Sequence, residues 1–178
     1  MKLVKSVAKQ GVKTTGKAFL TVPSTTELDP TNKPLTLGGF LKSETGSGVL
    51  LAQGGQGLGY SLMLQDGVPI FLLRNQGLFK KVVGQKIETK SWVHLAVTLN
   101  PDGEAQLLVD GKPQGKPVKV GLISGKPFDA LSFGADSGSF VGEYKLENGI
   151  VGEVRDVRIY WGMIKPKTLK NWLAGPTK

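Results

Sequence analysis

Residues 91–115, SWVHLAVTLNPDGEAQLLVDGKPQG, constrain the fold more than any other stretch of the chain. Val93, Leu95, Val97 and Leu99 alternate with Trp92, His94, Ala96 and Thr98. A period of two sends the two sets to opposite faces of an extended strand. Both faces are largely apolar, which predicts a strand covered on both sides and central in its sheet. Residues 100–103 read as a turn, 105–109 as the partner strand, and Asp110-Gly111 as the turn that closes it.

The same alternation recurs along the chain. Residues 19–22 read as a strand stopped by Pro23, residues 35–41 as another, and residues 49–52 as a third that runs into the glycine-rich turn QGGQGLG. Tyr60, Leu62 and Leu64 share one face of the next strand, with Ser61, Met63 and Gln65 on the other. Asp66-Gly67 is a strong hairpin signal, with residues 69–74 returning and a shorter strand at 80–83. Residues 130–134 and 151–160 are strands around a long polar loop, ADSGSFVGEYKLENG. Only the end reads as helix: Pro166 suits a first turn, Leu169, Trp172 and Leu173 share a face, and Gly175 stops it. Twenty-five glycines and ten prolines fit short elements joined by many turns. Strands at this spacing predict an all-β fold, a sandwich or jelly roll of two antiparallel sheets with a short C-terminal helix. Nothing divides the chain, so residues 1–178 read as one domain, with residues 1–15 a basic entry strand or loose arm carrying Lys2, Lys5, Lys9 and Lys13, followed by Lys17.

The composition narrows the chemistry. The chain has no cysteine, which excludes disulfides, thiolate zinc sites and thiol nucleophiles. Its single histidine, His94, excludes a histidine cluster for a metal. QGGQGLG lacks the Lys-Ser/Thr and following helix of a phosphate loop. No apolar run approaches the roughly 20 residues of a membrane span. The start MKLVKSVAKQ lacks the apolar stretch of a signal peptide, so an exported parent would make this chain a mature piece or an excised domain. A formal charge of +9 favours either solubility or a polyanionic partner. The lysines are scattered without an aromatic–basic motif, so no nucleic acid is expected.

The order of segments resembles a laminin-G-like domain of the concanavalin A-like lectin/glucanase superfamily. GKAFLTVPSTTELDP, PLTLGGFLKSETGSGVLLAQGG and GYSLMLQDGVPIFLLR resemble its opening, SWVHLAVTLNPDGEAQLLVDGK its central hairpin, and GIVGEVRDVRIYWGMI its closing strand. The resemblance covers about residues 16–173. GADSGSFVGEYKLENGIVGEVRDVRIY is similar to modules at the C-terminus of secreted bacterial sulfatases. That resemblance implies a non-catalytic module, extracellular or periplasmic, whose partner is a polysaccharide, sulfated by preference given the charge, or an adjacent catalytic domain. The alternatives are a ligand-free packing module and a glucanase-like hydrolase.

Candidate site residues follow. A glucanase needs paired carboxylates across a glycosidic bond. Glu153 and Asp156 come nearest, but their odd spacing puts them on opposite faces of a regular strand. The sulfatase nucleophile setting, Cys/Ser-x-Pro-x-Arg, does not occur. His94 reads either as a half-buried strand residue with hydrogen-bonded ring nitrogens or as a ligand contact on a sheet face. Arg74 could fork onto a sulfate or carboxylate, and Tyr60, Tyr144 and Tyr160 sit near strand ends or loops. Trp92, Trp161 and Trp172 fit core packing better than sugar stacking. Laminin-G-like domains often bind calcium at a loop edge, and calcium takes six to eight oxygens. Asp136, with Ser137, Ser139 and Glu143 nearby, is the candidate Ca2+ ligand, whereas Asp66, Asp102 and Asp110 precede glycines and read as turn residues.

Overall fold

The computed structural model of the chain describes residues 1–7, 11–17, 20–144 and 148–175. Its strands are β1 (Lys2–Val7), β2 (Val12–Thr15), β3 (Leu20–Val22), β4 (Leu35–Ser43), β5 (Gly48–Gly54), β6 (Leu58–Gln65) and β7 (Val68–Asn75). They continue as β8 (Leu78–Val83), β9 (Val93–Leu99), β10 (Glu104–Val109), β11 (Lys112–Lys119), β12 (Leu131–Phe133) and β13 (Val151–Trp161), followed by the helix α1 (Pro166–Leu173). One sheet has seven strands in the order β1-β13-β4-β9-β10-β11, with β2 also paired to β13; the other has six, β3-β12-β5-β6-β7-β8. The registered pairs of both sheets are antiparallel. The predicted two-sheet all-β class with a short terminal helix is what the chain adopts. The basic N-terminal segment forms entry strands on β13; Lys9 and Phe19 lie outside the described residues.

The central strand is β9, between β4 and β10, as its two apolar faces predict. Asp66-Gly67 and Asp110-Gly111 turn their hairpins with both residues at positive φ, 51° and 80° in the first and 48° and 75° in the second. That is the left-handed pair a two-residue turn needs to match strand twist, and glycine adopts it at no steric cost. β11 has no counterpart among the predicted strands. Pro113, Pro117 and Gly115 depress strand propensity, yet an edge strand tolerates proline because one side of its ladder is free.

The two sheets enclose one apolar layer. Leu37, Leu41, Leu95, Val97, Leu107, Val157 and Ile159 meet Leu51, Tyr60, Leu62, Phe71, Leu73 and Phe133 across it. The outer faces carry smaller clusters. On the seven-stranded sheet, Phe40, Tyr160 and Trp172 pack with Trp92, Ile164 and Leu169. Here α1 lies against the sheet through the fully buried Trp172, whose Nε1 donates to the Asp156 carbonyl at 3.0 Å. On the six-stranded sheet, Val49, Ala52, Met63, Ile70, Leu72 and Val141 pack with Phe79 and Tyr144. The long polar loop after β12 supplies Val141 and Tyr144, so it crosses this face instead of extending into solvent.

β13 is not regular. Its register with β4 slips between Arg155 and Arg158, and Asp156 has φ 48°. The bulge overturns the inference drawn from regular alternation, because an inserted residue resets which side chains share a face. Glu153 pairs with Lys42 at 3.5 Å, whereas Asp156 is buried and receives two Arg158 bonds of 2.7 Å. Both carboxylates therefore face cations, and neither lines the cleft on the six-stranded sheet.

Candidate functional site

The outer face of the six-stranded sheet holds a cleft of about 410 Å³. Its floor comes from alternate residues of three strands, Met63 of β6, Ile70 and Leu72 of β7, and Phe79 of β8. Tyr144 forms a wall, and Gln65, Lys81, Glu143 and Asn148 supply the polar groups. Phe79 and Lys81 are two apart on β8, so period two brings an aromatic face and an ammonium into the same opening.

Asp136 organises the loop that builds this wall. Its carboxylate accepts the Val141 N–H at 2.9 Å and the Tyr144 hydroxyl. Asn148 accepts the Asp136 N–H at 2.7 Å and returns a bond to the Asp136 carbonyl at 3.3 Å. Burial pushes the Asp136 carboxyl up to about 6, against the lowering effect of the Tyr144 and Val141 bonds, with Asp129 adding a smaller upward push. Burial, then the adjacent Asp136 charge, raises the Tyr144 hydroxyl too, so it stays protonated and donates. Arg74 fastens the other side: its Nε donates to the Val141 carbonyl at 2.8 Å, its guanidinium lies 4.3 Å from the Phe79 ring centroid, and Glu143 stands 4.0 Å away.

Three of the sequence candidates, Arg74, Tyr144 and Asp136, thus converge on one face. Tyr60 does not join them. It is fully buried between the sheets, where its hydroxyl donates to Gln53 Oε1 at 2.7 Å and Gln53 Nε2 donates to the Leu28 carbonyl at 3.3 Å. Its even alternation with Leu62 and Leu64 sends it to the core, so a ligand contact is ruled out by burial.

His94 is corrected in both of its expected roles. It is fully buried on the outer face of the other sheet, beneath α1. Its ring meets Phe40 at a centroid distance of 4.8 Å and Trp172 at 4.5 Å, both edge-on. Neither ring nitrogen has a hydrogen-bond partner among the described residues, and burial, with the nearby Arg158 charge, lowers its pKa to about 4. No ligand reaches it while α1 is docked.

The calcium reading of Asp136 does not fit the donor set. One Asp136 oxygen is engaged by Val141 and Tyr144, Ser139 donates both its N–H and its hydroxyl to Asp129, and Glu143 turns to Arg74. No group of three or more His, Cys, Asp or Glu side chains able to hold a metal occurs among the described residues. Among the described residues, six to eight convergent oxygens are not assembled here.

Sequence reading missed Lys81, Phe79, Gln65 and Asn148. Lys81 and Gln65 carried a signal, since each sits on the strand face opposite the core residues. Asn148 carried none: its position depends on the path of the loop.

Comparisons with known proteins agree with this architecture. The family model described as concanavalin A-like lectin/glucanases superfamily, of the laminin G type, matches residues 14–169. C-reactive protein of Oryctolagus cuniculus is 34% identical over 76 residues, which is 42% of this chain and 33% of that protein. The chain therefore aligns with only a third of the curated relative it matches. Mouse laminin alpha1 chain domains LG4-5 superpose with a TM-score of 0.69 at 16% identity, covering 93% of this chain and 45% of theirs. Domain 4 of AbnA, a GH43 extracellular arabinanase from Geobacillus stearothermophilus solved with arabinotriose, gives 0.68 at 17%, covering 92% and 76%. The botulinum neurotoxin serotype D binding domain gives 0.62 at 13%, covering 88% and 40%. Two stacked antiparallel sheets and a family match over most of the chain place it in the concanavalin A-like lectin/glucanases superfamily, as a laminin-G-like, lectin-like domain.

Proposed function

We propose that this domain is a non-catalytic carbohydrate-binding module, and that the cleft on the six-stranded sheet takes the glycan. The observation that carries the reading is the pairing of aromatic faces, Phe79 and Tyr144, with Gln65, Lys81, Glu143 and Asn148 around one opening. A sugar presents the matching surface: an apolar C–H face for a ring and hydroxyls for amides, carboxylate and ammonium. Arabinotriose in domain 4 of AbnA supports the class of ligand, and the binding domain among similar folds supports a binding role. The net charge and Lys81 favour an anionic, sulfated polysaccharide. In this reading the module serves a sulfatase-type enzyme outside the cytoplasm, holding the substrate near a catalytic domain.

Glu143 is the only carboxylate that lines the cleft, so the described residues hold no acid–base pair for glycoside hydrolysis there.

A glycan array followed by calorimetric titration of the best hit tests the proposal. Tyr144→Ala removes the cleft wall and is expected to weaken binding at least about tenfold, the usual cost of a lost aromatic anchor. Unchanged affinity in Tyr144→Ala, or silence across the array, ends the reading.

A further inference from the structure

The positive charge of this chain is not spread evenly. Residues 78–86, LFKKVVGQK, and 112–119, KPQGKPVK, hold six lysines and no acidic residue, as residues 1–17 hold five and no acid. The fold brings these two segments together. β8 is the edge of the six-stranded sheet and β11 the edge of the seven-stranded one. The two edges abut on one flank of the sandwich, where Lys80 Nζ donates to the Lys119 carbonyl at 3.4 Å and the Gln85 N–H to Gln114 Oε1 at 3.4 Å. Lys80, Lys81, Lys86, Lys112, Lys116 and Lys119 are all exposed. None joins an ion pair among the described residues, where Lys42, Arg74 and Arg158 take the carboxylates. The acids next to the wall are held elsewhere. Glu104, in register with Lys119, accepts from Asn100 Nδ2 at 3.0 Å, and Asp110, beside Lys112, accepts the His94 N–H at 2.9 Å.

Lysines on edge strands also discourage edge-to-edge pairing of sheets. That role does not account for the pattern. Pro113, Pro117 and the bulge near Gly115 already block β11 as a pairing edge without its lysines. A one-sign wall about 25 Å long, from the rise of an eight-residue strand, instead matches an extended polyanion.

We infer that the β8–β11 flank is a second binding surface, distinct from the cleft, along which a sulfated or uronate-bearing polysaccharide chain lies. Lys81 stands at the junction, since its strand borders both surfaces. The inference rests on the reading of the domain as a polysaccharide binder and not on the cleft itself.

The test uses the full chain with dextran sulfate as probe and neutral dextran and duplex DNA as comparators. The variant Lys112→Gln/Lys116→Gln/Lys119→Gln clears β11. The variant Lys165→Gln/Lys167→Gln/Lys170→Gln removes the same charge near α1, where all three lysines are exposed. The β11 variant is expected to lose about tenfold or more in affinity and to lower the slope of log affinity on log salt by about two to three; the α1 variant should change affinity less than about twofold. Lys112→Arg/Lys116→Arg/Lys119→Arg should bind as the parent does, which separates lost charge from lost folding. Equal weakening in both glutamine variants would overturn the inference, as would DNA binding as tight as dextran sulfate with the same sensitivity to the β11 variant. Failure of the cleft shows as unchanged affinity of Tyr144→Ala for its glycan-array hit, whereas failure of the flank shows as equal weakening of dextran sulfate binding in the two glutamine variants, so the two failures give different results.

Discussion

His94 offers a sharp prediction because the chain has no other histidine. In the unfolded chain the imidazole takes a proton near pH 6.5; in the folded protein it does so only near pH 4, since burial disfavours the charged ring. Between those values the unfolded state binds more proton, so His94 lowers folding stability as pH falls. Between about pH 7 and pH 4.5 the loss is roughly 2–3 kcal/mol, at about 1.4 kcal/mol per unit of pKa difference. Asp136 acts in the opposite sense. Its carboxyl is raised from 3.8 to about 6, so the folded state binds more proton below that value and gains stability on acidification. The two effects oppose each other in the protein as it stands, and a shallow pH profile hides both. His94→Leu separates them. It replaces two unpaired ring nitrogens with methyl groups of similar bulk, a change expected to be neutral to stabilising at neutral pH. Its advantage over the parent should grow by roughly 2–3 kcal/mol between about pH 7 and pH 4.5. Urea unfolding followed by tryptophan fluorescence at the two pH values measures it, with Asp136 present in both proteins. An advantage that stays the same at both values would refute the argument, because a buried, unpaired imidazole must titrate differently in the two states.

Two further substitutions test the packing. Tyr60→Phe deletes the hydroxyl that satisfies Gln53 Oε1 in the inter-sheet core, and should cost about 1–3 kcal/mol in urea unfolding while glycan affinity stays unchanged. Gly149→Ala places a methyl group 2.3 Å from the Gly16 carbonyl oxygen, where backbone and not a flexible side chain must move. It should lower stability by about 1–3 kcal/mol, read as a drop in Tm, and a neutral outcome would mean that the contact between β2 and the loop before β13 is looser than it stands.

The class of fold and most of its strands were legible in the order of residues. Alternation in Val93–Leu99 and the Asp-Gly pairs are local signals, because strand period and turn conformation depend on neighbouring residues alone. The same period correctly assigned Tyr60 to the face of Leu62 and Leu64, although not the consequence that it would be sealed in the core. The apolar face of α1 was legible too, but not the surface that receives it, and that docking is what seals His94. Which candidate side chains meet depends on the folded arrangement. Arg74, Asp136 and Tyr144 are brought together by a loop whose path is set by long-range contacts with β5 and β7. The bulge at Asp156 and the meeting of β8 with β11 likewise depend on partners distant in sequence, which no local pattern encodes.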